Sequence, residues 1–340
     1  MKKRLFCLLL VAACACSVFA GCQQNAGNPS NAGERQSAAG FYFDTSVTIV
    51  AYGVEKQTLD DAMKECARYE ALLSKTAEGS DVWNINHAAG QPVAVSEDTL
   101  RIINTARMVS EQSNGMFDIT IAPAAALWDF TGETVASLPQ DAALKDAAAR
   151  IDYRKVVVND NTVMIPEGFM LDLGGIAKGY IADQIAAFLK DAGATHSLLN
   201  FGGNVVAAGG KPDKSPWSVG IQEPFGAPGA FVAVLDVYSS SVVTSGIYER
   251  GFSFAGEYYH HILDPHTGYP VQNELTGVTV LSESSMLGDA LSTACMALGL
   301  HDGLALIASY EHVEAVFITR EGELFATDGA GAYLRNHPEQ

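Results

Sequence analysis

The chain has 340 residues, 48% of them hydrophobic and 18% charged, enough for a substantial core in one large domain or two modest ones. Its formal net charge of −18 excludes nucleic acid and anionic lipid as general binding partners. A polyanionic small substrate would need local compensation from a metal ion or from backbone N–H groups.

Residues 1–21 place Lys2, Lys3 and Arg4 ahead of an apolar run from Leu5 to Phe19. That run is shorter than the roughly 20 residues of a membrane-spanning helix and fits an export signal. The stretch FAGC, ending at Cys22, resembles a bacterial lipobox, so Cys22 is the expected lipidation site. The expectation is an exported protein, lipid-anchored to the bacterial cell membrane on its periplasmic or outer face. Residues 22–40 are polar and rich in Gly, Asn and Ser, as in a flexible tether. No linker divides residues 41–335, which read as one catalytic unit. With Cys7, Cys14 and Cys16 in the signal, only Cys66 and Cys295 remain, both in helical patterns and expected as buried free thiols.

From Phe41, FYFDTSVTIVAYG is rich in β-branched and aromatic residues and predicts a strand. Leu59, Met63, Cys66, Tyr69, Leu72 and Leu73 recur at helical spacing. A second helix opens at Ser96 and closes near Gly115, and a short one covers 141–149. Strands are expected at 155–158, 162–165 and 169–173, the last running into a double glycine. Residues 176–191 form a helix with Ile176, Tyr180, Ile181, Ile185, Phe188 and Leu189 inward. Strands then follow around glycine and polar turns: HSLLNFGGNVVAAGG, WSVGIQ, AFVAVLDVY, SVVTSG, FSFAG and EYYHHIL. MLGDALSTACMALG and DGLALIASY predict two helices, and VEAVFITREGELFAT a final hairpin. Helices interleaved with hairpin-connected strands indicate an α+β fold with mixed or antiparallel sheets and packed helices.

The stretch MLDLGGIAKGYIAD places Gly174 and Gly175 before a helix but matches neither G-x-G-x-x-G nor G-x-x-x-x-G-K-[ST]. An anion cradle at the helix start and a plain tight turn both remain open. NFGGN, TSGIYERGF and HILDPHTGYP add further glycine turns carrying Asn, Thr, Ser or Asp, as in a cleft lined by backbone amides. In DALSTA, Asp289 and Thr293 lie four apart on one helix face, a pair suited to a hard cation such as Mg²⁺ or, equally, to a structural acid and a buried Thr. His260 and His261 are adjacent on a strand and face opposite ways. One can reach the cleft beside Asp264 as a general base, and the other faces solvent or a partner. The spacing of the eight histidines is not that of a zinc site.

These motifs, in order over most of residues 41–335, resemble the ApbE family of FAD:protein FMN transferases. The resemblance rests on FDTSVTI, SNGMFDIT, LDLGGIAKGYIAD, LNFGGNVVAAG, TSGIYERGF, HHILDPHTGYPV and GDALSTACMALG. It implies an ApbE-like fold, FAD as substrate, Mg²⁺ as cofactor, and transfer of FMN to a threonine of a partner redox protein with release of AMP. It places the metal on the Ala177 carbonyl, Asp289 and Thr293. It places FAD contacts on Phe43, Phe117, Asp118, Gly174, Tyr180 and Leu263. His261, expected to titrate near neutrality, would accept the proton of the incoming hydroxyl. Lys178 has no required role in that comparison. One departure stands out: Thr76 occupies a position that is aromatic in many relatives. Mg²⁺-dependent FAD hydrolysis and simple FAD binding are the competing expectations.

Overall fold

A computed structural model describes residues 33–130 and 137–335; the export segment, Cys22 and the tether through residue 32 lie outside it. The chain runs β1 (Arg35–Tyr42), β2 (Thr45–Tyr52), α1 (Lys56–Leu73), α2 (Asp81–His87), β3 (Val93–Ala94), α3 (Glu97–Gln112), α4 (Ala122–Ala125) and α5 (Asp141–Ala148). It continues with β4 (Val157–Asn159), β5 (Thr162–Met164), α6 (Ala177–Asp191), β6 (His196–Phe201), β7 (Asn204–Ala208), β8 (Trp217–Gln222) and β9 (Phe231–Val237). Then come β10 (Ser240–Gly246), β11 (Gly251–Phe254), β12 (Glu257–His260), β13 (Leu275–Ser282), α7 (Ser285–Leu298), α8 (Leu300–Ala308), β14 (Glu314–Thr319) and β15 (Leu324–Ala326).

Eight strands form one sheet in the order β1-β2-β6-β7-β10-β13-β14-β15. Its pairings are antiparallel, with β1–β2, β6–β7 and β14–β15 joined as hairpins. Alternation decides the faces. Val47, Ile49 and Ala51 of β2 are fully buried against the helices, in the main core with Leu59, Cys66, Ile102, Ile181 and Leu291. The opposite face is covered in part by the β8–β9 hairpin, whose Trp217, Ile221, Leu235 and Val237 pack on Val205, Val242 and Val316. Cys66 and Cys295 are buried free thiols, as expected.

Two expectations change, and one strand was missed. The first strand starts at Arg35, so the end of the expected tether, residues 35–40, belongs to the sheet. RQSAAG lacks apolar alternation and is held by its backbone ladder to β2. Residues 169–173 are not a strand. Asn86 takes the place of a ladder there: its Oδ1 accepts from Leu171 N–H at 2.6 Å and its Nδ2 donates to Leu171 C=O at 3.0 Å. Strand β13 had no expectation at all: with all eight residues buried it carries no half-buried alternation to announce it.

Helices α6 and α7 meet at Gly179, where a Cβ would lie 2.1 Å from Ser285 C=O. From α6, Asp183 accepts hydrogen bonds from Ser284 Oγ, Ser285 N–H and Met286 N–H, at 2.9, 2.8 and 3.0 Å. It thus caps the start of the helix that carries Asp289 and Thr293. Gly179→Ala must push the two helices apart. It is expected to lower stability by about 3 kcal/mol or more, against an overpacking range of roughly 1–3 kcal/mol where neighbours can yield, as read by urea denaturation.

Candidate active site

A cleft of about 2490 Å³ lies at the meeting of α6, α7, β10 and the turns after β1, β6 and β12. Of the sequence-predicted residues, Phe43, Phe117, Asp118, Gly174, Ala177, His261, Leu263, Asp289 and Thr293 all line it. Tyr180 does not. It is 2% exposed, packs edge-on against Tyr69 at 6.0 Å, and donates its hydroxyl to Asp98 Oδ1 at 2.5 Å. Its place one turn into α6, on the face buried against α1, makes it a core residue behind the cleft.

Phe43 reaches the cleft from a strained position. With Asp44 it forms the two-residue turn between β1 and β2, both at φ +55°, a geometry that favours Gly and Asn. Holding Phe in that region costs about 1 kcal/mol, and the Glu70 carboxylate offsets it by accepting from Phe43 N–H at 2.8 Å.

Several N–H groups of the double-glycine corner are already engaged by the protein itself. Gly174 N–H donates to Asp172 Oδ1 at 2.9 Å and Ala177 N–H to Leu173 C=O at 2.8 Å. Gly179 N–H donates to Asp289 Oδ2 at 2.9 Å. The anion that satisfies the α6 start is therefore the protein's own carboxylate. Gly175 has a spacing role: a Cβ there would meet the Phe117 ring at 3.2 Å and Thr293 Oγ1 at 3.4 Å.

Asp289 is 2% exposed. One oxygen is committed to Gly179, and the other lies 3.5 Å from Lys178 Nζ, which also donates to Gly174 C=O at 3.1 Å. One helical turn on, Thr293 Oγ1 lies 3.3 Å from Ser245 Oγ, which also contacts Ser292 Oγ at 2.8 Å. Asp289, Thr293 and the first residue of α6, Ala177, thus share one wall. Their oxygens are hard donors, and the second Asp289 oxygen is held only by a long contact to Lys178. The residues present fit Mg²⁺, which takes few protein ligands and keeps water or phosphate oxygens.

Asp118 reaches the cleft wall, but both its oxygens are engaged. Oδ1 accepts from Thr120 N–H and Oγ1 at 2.8 and 2.7 Å, and Oδ2 from Tyr153 N–H at 2.7 Å. Burial pushes its pKa up against those three bonds.

His261 approaches from the end of β12. Its Nδ1 lies 3.2 Å from Arg250 C=O. A carbonyl only accepts, so Nδ1 carries the proton and Nε2 keeps its lone pair. Burial, aided by the Arg250 charge, pushes its pKa down to about 4, against the expectation of near-neutral titration. Asp264 is not its orienting partner, because Asp264 Oδ1 accepts from His266 N–H at 2.8 Å within the turn. His260 is 1% exposed rather than solvent-facing, donates Nε2–H to Val271 C=O at 3.1 Å, and has its pKa lowered to about 4, chiefly by burial. Val271, and Thr276 at the start of β13, lie on the face that alternation pointed outward.

Glu249 was missed. Although its side chain is exposed in the open cleft, the protein around it raises its pKa to about 7, Lys178 opposing the effect and the nearby Asp289 charge adding to it. Its only sequence signal is an acid in the turn of TSGIYERGF, which by itself reads as solvated.

A sequence model of the ApbE family matches residues 43–317. A Klebsiella pneumoniae protein named FAD:protein FMN transferase is 38% identical over 76% of this chain and 80% of its own. A Treponema pallidum protein of the same name is 34% identical over 80% and 79%. The crystal structure of the ApbE protein of Thermotoga maritima superposes with a TM-score of 0.82 at 30% identity, covering 89% of this chain and all of that one.

Proposed function

The chain belongs to the ApbE family and is an FAD:protein FMN transferase; we propose that it joins FMN from FAD by a phosphoester bond to a threonine of a partner redox protein, releasing AMP. The observation that carries this reading is one cleft that brings together Asp289, Thr293 and a neutral His261 with an available Nε2. In the reaction the threonine oxygen bonds to the FMN-side phosphorus, the bridging P–O bond breaks, and AMP leaves with the bridging oxygen. The hydroxyl proton passes to His261 Nε2. Ala177 C=O, Asp289 and Thr293 would hold Mg²⁺, which would supply charge neutralisation at the diphosphate. Phe43, Phe117 and Leu263 offer apolar surface for the flavin or adenine rings.

A second reading, hydrolysis of FAD to FMN and AMP, is favoured by Thr76. Its side chain is exposed on the cleft wall, where its Oγ1 lies 3.1 Å from Ser74 Oγ. A small hydroxyl there leaves room for water. Incubating residues 22–340, Cys22 replaced, with FAD, Mg²⁺ and exported redox subunits separates the readings. In-gel flavin fluorescence on an acceptor is expected. Free FMN and AMP without a labelled acceptor would mark hydrolysis, and retained FAD without products would mark a binder. Anchoring through Cys22 is part of this proposal, and loss of metabolic palmitate labelling in Cys22→Ser tests it.

A further inference from the structure

A second cavity, of about 460 Å³, is walled off from the cleft. Ile247 and His260 line it, whereas their neighbours Tyr248 and His261 line the cleft, and no residue lines both. Its size falls within the roughly 300–1,000 Å³ of small-molecule pockets. Three parts of the chain close around it: the turn after β8 with Phe225, the β11–β12 hairpin with Tyr258, and the residues after β14 with Arg320.

One side of the cavity is apolar. Phe225 and Tyr258 stand edge to face with centroids 5.2 Å apart. Phe225 is 60% exposed and sits at φ +58°, where bulky side chains are outliers. Strain of that kind gathers at ligand clamps and active sites. Pro224, Val232 and Ile318 extend the apolar lining.

The other side carries both signs of charge, unpaired. Arg320 donates Nε–H to Asn273 C=O at 2.7 Å. Arg320, Glu223 and Glu257 form no ion pair among the described residues, and all three are exposed. Buried His260 closes the cavity behind them. Burial lowers its pKa, and the Arg320 charge adds to that effect. Its Nε2–H is committed to Val271 C=O, and its buried Nδ1 has no hydrogen-bond partner among the described residues. That unmet acceptor favours an occupant with N–H donors.

We propose that this cavity binds a small zwitterion, an α-amino acid with an apolar side chain. Its carboxylate pairs with Arg320, its ammonium lies at Glu223 and Glu257, and its side chain packs on Phe225 and Tyr258. An amine alone would leave Arg320 unmatched, and a carboxylate alone would face the two glutamates. Only a ligand with both ends complements all three charges.

The test is calorimetry on residues 22–340, Cys22 replaced, with phenylalanine and leucine as probes. Saturable binding with a Kd below about 1 mM is expected, the same with and without FAD. Phenethylamine lacks the carboxylate and 3-phenylpropionate lacks the ammonium. Each should bind about tenfold or more weakly than phenylalanine. Arg320→Met and the Glu223→Gln/Glu257→Gln double variant should lose phenylalanine affinity by a similar factor while keeping FAD affinity. Should loss of the Asn273 bond unfold Arg320→Met, the double variant on the exposed rim carries the test alone. Absence of saturable binding, equal binding of either analogue, displacement by FAD, or wild-type affinity in the double variant overturns the assignment.

Discussion

Asp289→Ala is expected to reduce FMN transfer by about 10³-fold or more, because it removes the buried carboxylate that shares a wall with Thr293 and the Ala177 carbonyl. It also leaves Gly179 N–H without its acceptor, at a cost of about 1–3 kcal/mol for a buried donor. Activity loss and destabilisation are separable through Asp289→Asn, whose amide oxygen can still accept from Gly179. The Asn variant should keep most of the wild-type thermal midpoint while losing nearly all transfer and Mg²⁺ affinity. AMP release and calorimetric Mg²⁺ titration are the measurements. Transfer at wild-type rate in either variant would remove Asp289 from the metal site.

His261→Ala is expected to slow transfer by about 10²- to 10⁴-fold, the usual range for a positioned general base, with FAD affinity retained. The pH profile carries its own signature. Burial lowers the folded pKa from 6.5 to about 4, so the imidazole stays neutral well below pH 6.5. The acid limb of kcat/KM should therefore fall near pH 4 rather than pH 6.5, and a limb that persists in the His261→Ala background would belong to another group. The stability effect follows the sign of the shift. Between pH 6.5 and about 4 the unfolded chain binds the proton that the folded imidazole refuses, so stability falls as pH drops through that window. His260 has the same shift at 1% exposure, worth about 3 kcal/mol at one pKa unit per 1.36 kcal/mol. His260→Gln should flatten the fall in thermal midpoint between pH 7.5 and pH 5.

Elements with strong local signals were legible in the sequence. Ser96 caps α3 by accepting from Thr99 N–H, as its place before a helical pattern indicates. The spacing of Leu59 through Leu73 gives α1. The α+β antiparallel layout follows from short turns between strands. What escaped was set by distant partners. Asn86 pins Leu171 from 85 residues away, and nothing within 169–173 announces that. Asp183 caps a helix some hundred residues later, yet in its own helix it reads as an ordinary polar position. In the site, residue types and spacing located Asp289, Thr293 and His261. They could not say that Asp289 itself fills the helix start behind the double glycine, that Tyr180 turns into the core, or that Glu249 is crowded enough to titrate near 7.

The β11–β12 hairpin closes through Ala255 and Gly256, both at positive φ, with Phe254 opposite Glu257 and Gly251 opposite His260. Two neighbouring imidazoles at its exit are identical in chemistry and opposite in address, one at the cleft and one buried beside Val271. Surface hairpins usually accept insertions and deletions freely. Here a single codon gained or lost in strand β12 would exchange the two addresses, putting the wrong ring at the reaction and turning every alternate aromatic of the strand inside out. Length in this hairpin is therefore under chemical selection, and variation among homologues should appear there as substitutions or as paired two-residue changes rather than as odd-numbered gaps.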